Sequence, residues 1–180
     1  WGSSNWANAW ASQVGEAAPQ GEPDPALKSR VQIARALPGS FSSLLGGGLA
    51  VLLGRRLCYF LLSCAALFCA QYLFWFMSPS DPGFLWWFGA LGLFSGFYFG
   101  WLPLCLPELF PTRVRSTGAG VSFNFGRILT AFGVLVAAGL LKDVFAGDYA
   151  QIGRLTSLVY AVGIVIIFFA PDTSKNALDQ

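Results

Sequence analysis

Charge is scarce in this sequence, and the few charged side chains narrow the chemistry. Arg127 stands ten residues into an apolar run that opens at Thr117, roughly 15 Å along a helix axis at about 1.5 Å per residue. In a helix that crosses a bilayer this is near mid-depth, too far in for easy snorkelling, and an ionisable group there marks a functional position. Gly120, Asn124 and Arg127 recur at i, i+4 and i+7, so one helix face carries the polarity. A guanidinium stays protonated and is no proton carrier. Two roles remain for it: a bidentate grip on an anionic group of a solute, or a salt bridge to a carboxylate elsewhere in the protein. Tyr98 and Trp101 add polar handles just before Pro103, and Pro103 and Pro107 free carbonyls and bend that segment. A broken helix at mid-depth is where membrane proteins tend to build solute sites. Ser40, Ser42 and Ser43 soften an earlier run; Ser43 is a candidate contact, although serines in such helices usually bond back to their own backbone.

A second constellation is the stretch PELFPTRVRSTGAG, Pro107 to Gly120, which separates two apolar runs. Pro103, Pro107 and Pro111 recur every four residues, and Glu108, Arg113 and Arg115 hold much of the charge. Arg55 and Arg56 form a similar short basic corner after Gly54. No Asp or Glu lies deep in an apolar run, so a titrating carboxylate for proton coupling is expected upstream of Trp1. Other chemistries find no footing. There is no histidine, the commonest general base and metal ligand. Cys58, Cys64, Cys69 and Cys105 sit inside apolar runs at spacings that match no zinc pattern, and read as packing residues. No Ser/His/Asp set, phosphate-cradling loop or carboxylate pair points to an enzyme or a cofactor. A net charge of +2 without a basic stripe gives nucleic acid no footprint.

The elements that position these residues are membrane spans. The chain is 55% hydrophobic and 11% charged, against about 25% charged in an average soluble domain, and its mean hydropathy is +0.58. Leu57–Met77 and Phe84–Leu106 contain no charged residue, and about 20 such residues cross a hydrocarbon core. Helices are the expected form, because lipid offers no partner for unpaired backbone groups. Residues 1–14, with Trp1, Trp6 and Trp10, read as the interfacial end of a helix whose body lies upstream. Residues 15–30 read as an aqueous loop. Residues 31–170 hold five full spans, the last centred on Leu155–Ala170 after the loop KDVFAGDYAQIGR, and 171–180 form a polar tail. The expected fold is an all-α polytopic bundle of five full transmembrane helices plus the end of a sixth. With no initiating Met and no signal-peptide pattern, the chain reads as a C-terminal fragment.

Loop charges do not orient the bundle. Arg55, Arg56, Arg113, Arg115 and Lys175 fall on one side; Lys28, Arg30, Arg35, Lys142 and Arg154 fall on the other. The short connectors favour the arginine-pair side as cytoplasmic. Gly92, Gly96 and Gly100 make a stripe on the third full span, Gly46 to Gly48 thin the first, and Gly118, Gly120, Gly126, Gly133 and Gly139 thin the fourth. Small residues let membrane helices approach closely and slide. Gln71 is a lone polar group read as a packing contact.

PELFPTRVRSTGAG resembles the loop after the tenth helix of major facilitator superfamily transporters, close to their sugar-porter and metabolite–proton symporter branches. GGLAVLLGRR, Gly47 to Arg56, is similar to that superfamily's G-x3-D-R-x-G-R-R loop, here between helices eight and nine. PDTSK near the end resembles the P-E-T-K that follows helix twelve in sugar porters. One departure stands out: Val51 and Leu52 occupy the positions of the loop's usual acid and base. The resemblance implies the C-terminal half of a secondary transporter of the plasma (inner) membrane. Such a protein moves a small polar solute, a sugar or an organic acid, by alternating access with proton coupling. It implies a path lined by helices eight, ten and eleven, with Arg127, Asn124, Tyr98, Trp101 and Ser43 as candidates. It also implies a cytoplasmic charge network of Glu108 with Arg55, Arg56, Arg113 or Arg115. Implied partners are membrane lipid, the solute and protons, and the missing N-terminal half of the same chain. The alternative is a non-transporting scaffold or sensor on the same fold.

Overall fold

The computed structural model describes residues 2–16 and 26–170, and among them all regular structure is helical. The helices are α1 (Gly2–Glu16), α2 (Leu27–Leu53), α3 (Arg55–Phe76), α4 (Phe84–Glu108), α5 (Arg115–Asp143), α6 (Tyr149–Ser157) and α7 (Val159–Ile166). Among the described residues five stretches are long and apolar enough to cross a membrane: α2, α3, α4, most of α5, and α6 with α7 as one run. The protein is thus a multi-pass integral membrane bundle. Trp1, the middle of the expected loop and the PDTSK tail lie outside the described residues.

Two boundaries differ from the sequence reading. Helix α2 begins at Leu27 rather than near Val31, so Lys28 and Arg30 are helical. Their charge does not oppose a helix whose first turn is exposed. The last span begins at Tyr149, inside the stretch read as a loop. Asp148 caps it by accepting from the backbone N–H groups of Ala150 and Gln151 at 2.9 and 3.1 Å, which satisfies two of the orphan donors of a helix start. Ala146 and Gly147, both with positive φ, turn the chain into that cap. At the opposite membrane face one residue joins α2 to α3. Gly54 takes φ 83° and ψ 151° there, a conformation open to glycine at little steric cost.

The closest pairing is α2 against α4. A Cβ on Gly92 would press on the Arg35 backbone, one on Gly96 on Gly39 and Ser42, and one on Gly100 on Ser43 and Gly46. Absent side chains on α4 therefore let two backbones touch, which is how helices gain packing energy in lipid. Pro38 lies inside α2 and donates no N–H to Ala34. The freed Ala34 carbonyl faces Gly89, where a Cβ would stand 3.0 Å from it. The glycines of α5 behave otherwise. Gly118 is approached by the Phe110 ring, whereas a Cβ on Gly120, Gly126, Gly133 or Gly139 would meet nothing within 4 Å. Among the described residues no neighbouring helix uses them, and α5 is the least buried of the spans there.

One end of the bundle is filled by Leu73, Phe74, Phe84, Phe88 and Leu91, all fully buried, with Trp10 packed on Phe74 and Phe84. Gln71 joins α3 to α6, donating to the Ser157 hydroxyl at 2.8 Å and to the Arg154 carbonyl at 3.1 Å. Arg154 lies 4.0 Å over the Trp75 ring and donates from Nε to the Phe74 carbonyl at 2.9 Å. That carbonyl belongs to the last turn of α3, where a cation also meets the negative end of the helix dipole.

Candidate functional site

A cavity of about 690 Å³ opens between α1, α2, α4, α5 and α7, within the range of small-molecule sites. Arg127 and Thr130 enter it from α5, Arg35 from α2, Ser95 and Tyr98 from α4, Asn5 from α1 and Tyr160 from α7. The remaining wall is apolar, chiefly Phe99, Leu102, Phe123 and Leu135. No carboxylate lines it among the described residues.

Each polar group reaches the cavity for a local reason. Arg127 is exposed, and its guanidinium lies 5.8 Å from the ring centre of Phe123, one turn earlier on α5. Among the described residues no carboxylate stands within ion-pairing distance of Arg127. Arg35 is held from behind, because its backbone abuts Gly92 of α4. Its half-buried side chain extends from that contact into the cavity. The Tyr98 hydroxyl is 2.6 Å from that of Ser63, and its ring stacks on Tyr160 with 6.5 Å between centroids and 13° between planes. Ser95 donates to the Gly92 carbonyl at 3.2 Å and Thr130 to that of Gly126 at 2.9 Å.

Of the path candidates read from sequence, the structure brings Arg127 and Tyr98 to one cavity and places three elsewhere. Asn124 folds back one turn, donating to the Gly120 carbonyl at 2.9 Å. Ser43 donates to the Ser40 carbonyl at 2.7 Å, and its own backbone meets Gly100. Trp101 points away to the α2–α3 corner, giving its indole N–H to the Arg55 carbonyl at 3.0 Å. Arg35 is the residue that sequence reasoning missed, having been counted as a loop charge. Asn5, Ser95, Thr130 and Tyr160 were not singled out either.

That corner gathers the second constellation. Arg55 grips Glu108 with two hydrogen bonds, Nη2 to Oε1 at 2.8 Å and Nε to Oε2 at 3.3 Å, and the side chains are 16% and 10% exposed. Glu108 is the last residue of α4, where the helix dipole disfavours a carboxylate and a cation restores the balance. Nη1 of Arg55 also reaches the Ala50 carbonyl at 3.4 Å, in the final turn of α2. Arg56 donates to the Ala170 carbonyl beyond α7. Arg115 reaches the Phe110 carbonyl at 3.5 Å, and Arg113 is exposed with no carboxylate partner among the described residues. The pair therefore ties α3 to α4 within one bundle, and Arg56 and Arg115 donate to backbone carbonyls. Val51 and Leu52 are both exposed. A run of rings, Tyr160 to Tyr98, Tyr98 to Tyr59 and Tyr59 to Trp101, connects the cavity to this corner; the last two centroid distances are both 5.1 Å.

The model of the family described as "Sugar (and other) transporter" matches residues 40–180. A protein of Cupriavidus pinatubonensis named as a probable 4-methylmuconolactone transporter is 32% identical over 132 residues, 71% of this chain and 29% of that protein. A protein of Haemophilus influenzae whose name assigns it to metabolite transport is 30% identical over 102 residues, 56% of this chain and 24% of that protein. The chain thus spans less than a third of the length of either relative. No solved structure matches. The chain belongs to the sugar (and other) transporter family of the major facilitator superfamily.

Proposed function

We propose that these residues are the C-terminal six-helix half of a secondary transporter of the plasma membrane, which moves a small polar solute by alternating access coupled to protons. The carrying observation is the 690 Å³ cavity with Arg127 exposed at its wall. A guanidinium held near mid-membrane needs an anionic counterpart. Either the solute supplies it or a carboxylate of the N-terminal half does. The relatives' names, a lactone transporter and a metabolite transport protein, support a small organic solute. With Arg35 in a helix and in the cavity, it leaves the loop count. Five positive residues then face four, which supports a cytoplasmic Arg55–Glu108 corner. There the pair stabilises the end of α4, and its strength biases the balance between inward-open and outward-open states.

Uptake by the full-length protein in proteoliposomes tests the reading, with sugars and carboxylates offered under an imposed proton gradient. Saturable flux of at least one solute, abolished by dissipating the gradient, is expected. Absence of saturable flux for every solute would overturn transport in favour of a scaffold or sensor. Arg127→Lys keeps the charge and loses the planar fork; unchanged uptake and affinity in that variant would remove Arg127 from both of its proposed roles.

A further inference from the structure

We propose that Tyr59 and Ser63 of α3, which stand outside the cavity, are positioning residues that carry the state of the cavity wall to the Arg55–Glu108 corner. The inference rests on the transport reading and adds the route by which the two ends communicate. Along α3, Arg55, Tyr59 and Ser63 step by four; along α4, Tyr98, Trp101, Cys105 and Glu108 step by three, four and three. Each set lies on one helix face, and the two faces meet as a ladder. At the cavity end the fully buried Ser63 shares a hydrogen bond of 2.6 Å with the Tyr98 hydroxyl. Midway, the Tyr59 and Trp101 rings meet with 5.1 Å between centroids. Arg55 and Glu108 close the far end at 2.8 Å. Two diagonals brace these rungs. Tyr59 also lies 5.1 Å from Tyr98, and the Trp101 indole N–H donates to the Arg55 carbonyl at 3.0 Å. Eight residues separate Arg55 from Ser63, so the ladder runs about 12 Å along α3.

Tyr59 has little slack with which to absorb a movement. Its ring touches both Tyr98 and Trp101, and its hydroxyl backs onto Gly163 of α7, where a Cβ would stand 2.9 Å from the oxygen. Close-packed side chains pass a displacement on, because few voids exist to take it up. A solute pressing on the Tyr98–Tyr160 stack therefore turns Tyr59, moves Trp101 and pulls on the Arg55 carbonyl. That carbonyl belongs to the residue whose guanidinium grips Glu108. The equilibrium that both ends bias is the one between inward-open and outward-open states. Gln71 gives the contrast: on the same helix, it bonds to α6 and lies outside the ladder.

Full-length protein in lipid nanodiscs, carrying 5-fluorotryptophan, provides the test without any solute. The Trp101 fluorine resonance, assigned by its loss in Trp101→Phe, reports the middle rung. Cysteine-accessibility labelling of both membrane faces reports the ratio of inward-open to outward-open states. Ser63→Ala removes one hydroxyl at the cavity end. It is expected to shift the Trp101 resonance and to raise the inward-open ratio by about two- to tenfold, the range for one hydrogen bond. Glu108→Gln should raise the ratio as well, and the double variant by less than the product of the two. Tyr59→Phe keeps the ring and should keep that coupling, whereas in a Tyr59→Leu background the two effects should multiply. Gln71→Ala, which removes hydrogen bonds between the same helix and α6, should move neither readout. An unmoved Trp101 resonance in Ser63→Ala, multiplying effects of Ser63→Ala and Glu108→Gln with Tyr59 in place, or an equal shift from Gln71→Ala would each overturn the inference. Ser63→Ala decides the matter even if Tyr59→Leu fails to fold. Uptake of sugars and carboxylates, measured in parallel in proteoliposomes, keeps the two readings apart. Coupled shifts without flux of any solute leave the ladder standing and remove transport. Flux without coupled shifts does the reverse, and the absence of both overturns both.

Discussion

Replacing Gly46, Gly47 and Gly48 one at a time by alanine is expected to give unequal stabilities, although the three share one run and one helix. A Cβ on Gly46 would stand 2.9 Å from the Gly100 Cα and 3.1 Å from the Phe97 carbonyl carbon. Carbon pairs rest at about 3.5–4.0 Å, so the shortfall to the Gly100 Cα is roughly 0.6–1.1 Å. Both obstructing groups are backbone and cannot rotate aside, so α2 and α4 must part. Overpacking of this kind costs about 1–3 kcal/mol. At Gly47 the nearest atom is the Gly100 carbonyl oxygen at 3.6 Å, an ordinary contact, and at Gly48 nothing lies within 4 Å.

All three substitutions gain the same helix propensity, about 1 kcal/mol, so that gain cancels when they are compared. Gly46→Ala should therefore fall about 1–3 kcal/mol below Gly48→Ala, with Gly47→Ala near the latter. Unfolding of the full-length protein in mixed micelles by rising SDS, followed by circular dichroism, measures this. Equal stabilities would refute the backbone-contact account of the α2–α4 interface. A lowest value for Gly48→Ala would show that a different face of α2 is the packed one. Gly92→Ala extends the logic to function, because the backbone it displaces is that of Arg35, with the Cβ 3.0 Å from its Cα. Solute affinity should fall in that variant even under conditions where the fold persists.

A double-mutant cycle of Arg55→Gln and Glu108→Gln should return a coupling energy of about 1–3 kcal/mol, since the partners are bidentate and mostly buried; additive single effects would show a pair that contributes nothing. In cysteine-accessibility labelling of both membrane faces, Glu108→Gln should also move the resting population toward inward-open, and an unchanged pattern would dismiss the gating role. Asp148→Ala should cost about 1 kcal/mol through loss of the α6 cap, whereas Asp148→Asn should recover most of it in the same unfolding assay. Arg154→Ala should cost about 1–3 kcal/mol by removing both the Trp75 stack and the bond to the Phe74 carbonyl. Arg154→Lys should recover only part, because lysine keeps a cation for the ring and loses the fixed Nε donor.

The spans were legible because lipid demands unbroken apolar runs, and Arg127 was legible because a charge inside such a run has no bland explanation. Arg35 was hidden by its neighbours. Lys28 and Arg30 precede it and Pro38 follows, so it reads as the edge of a loop. Its signal was phase: Val31, Arg35, Gly39, Ser42, Gly46 and Ala50 step by four, four, three, four and four, the spacing of one helix face. A charge in register with glycines that touch another backbone belongs to the bundle, not to water. Spacing alone also overreached. It put Asn124 beside Arg127, yet a short amide can reach the carbonyl one turn back and does so. The same local competition removed Ser43. A cavity is a property of several helices at once, and local capture does not decide its members: Ser95 and Thr130 line it while bonded to carbonyls of their own helices. On α5, Arg127 lies by the Phe123 ring and lines the cavity, whereas Asn124 bonds the Gly120 carbonyl and does not line it.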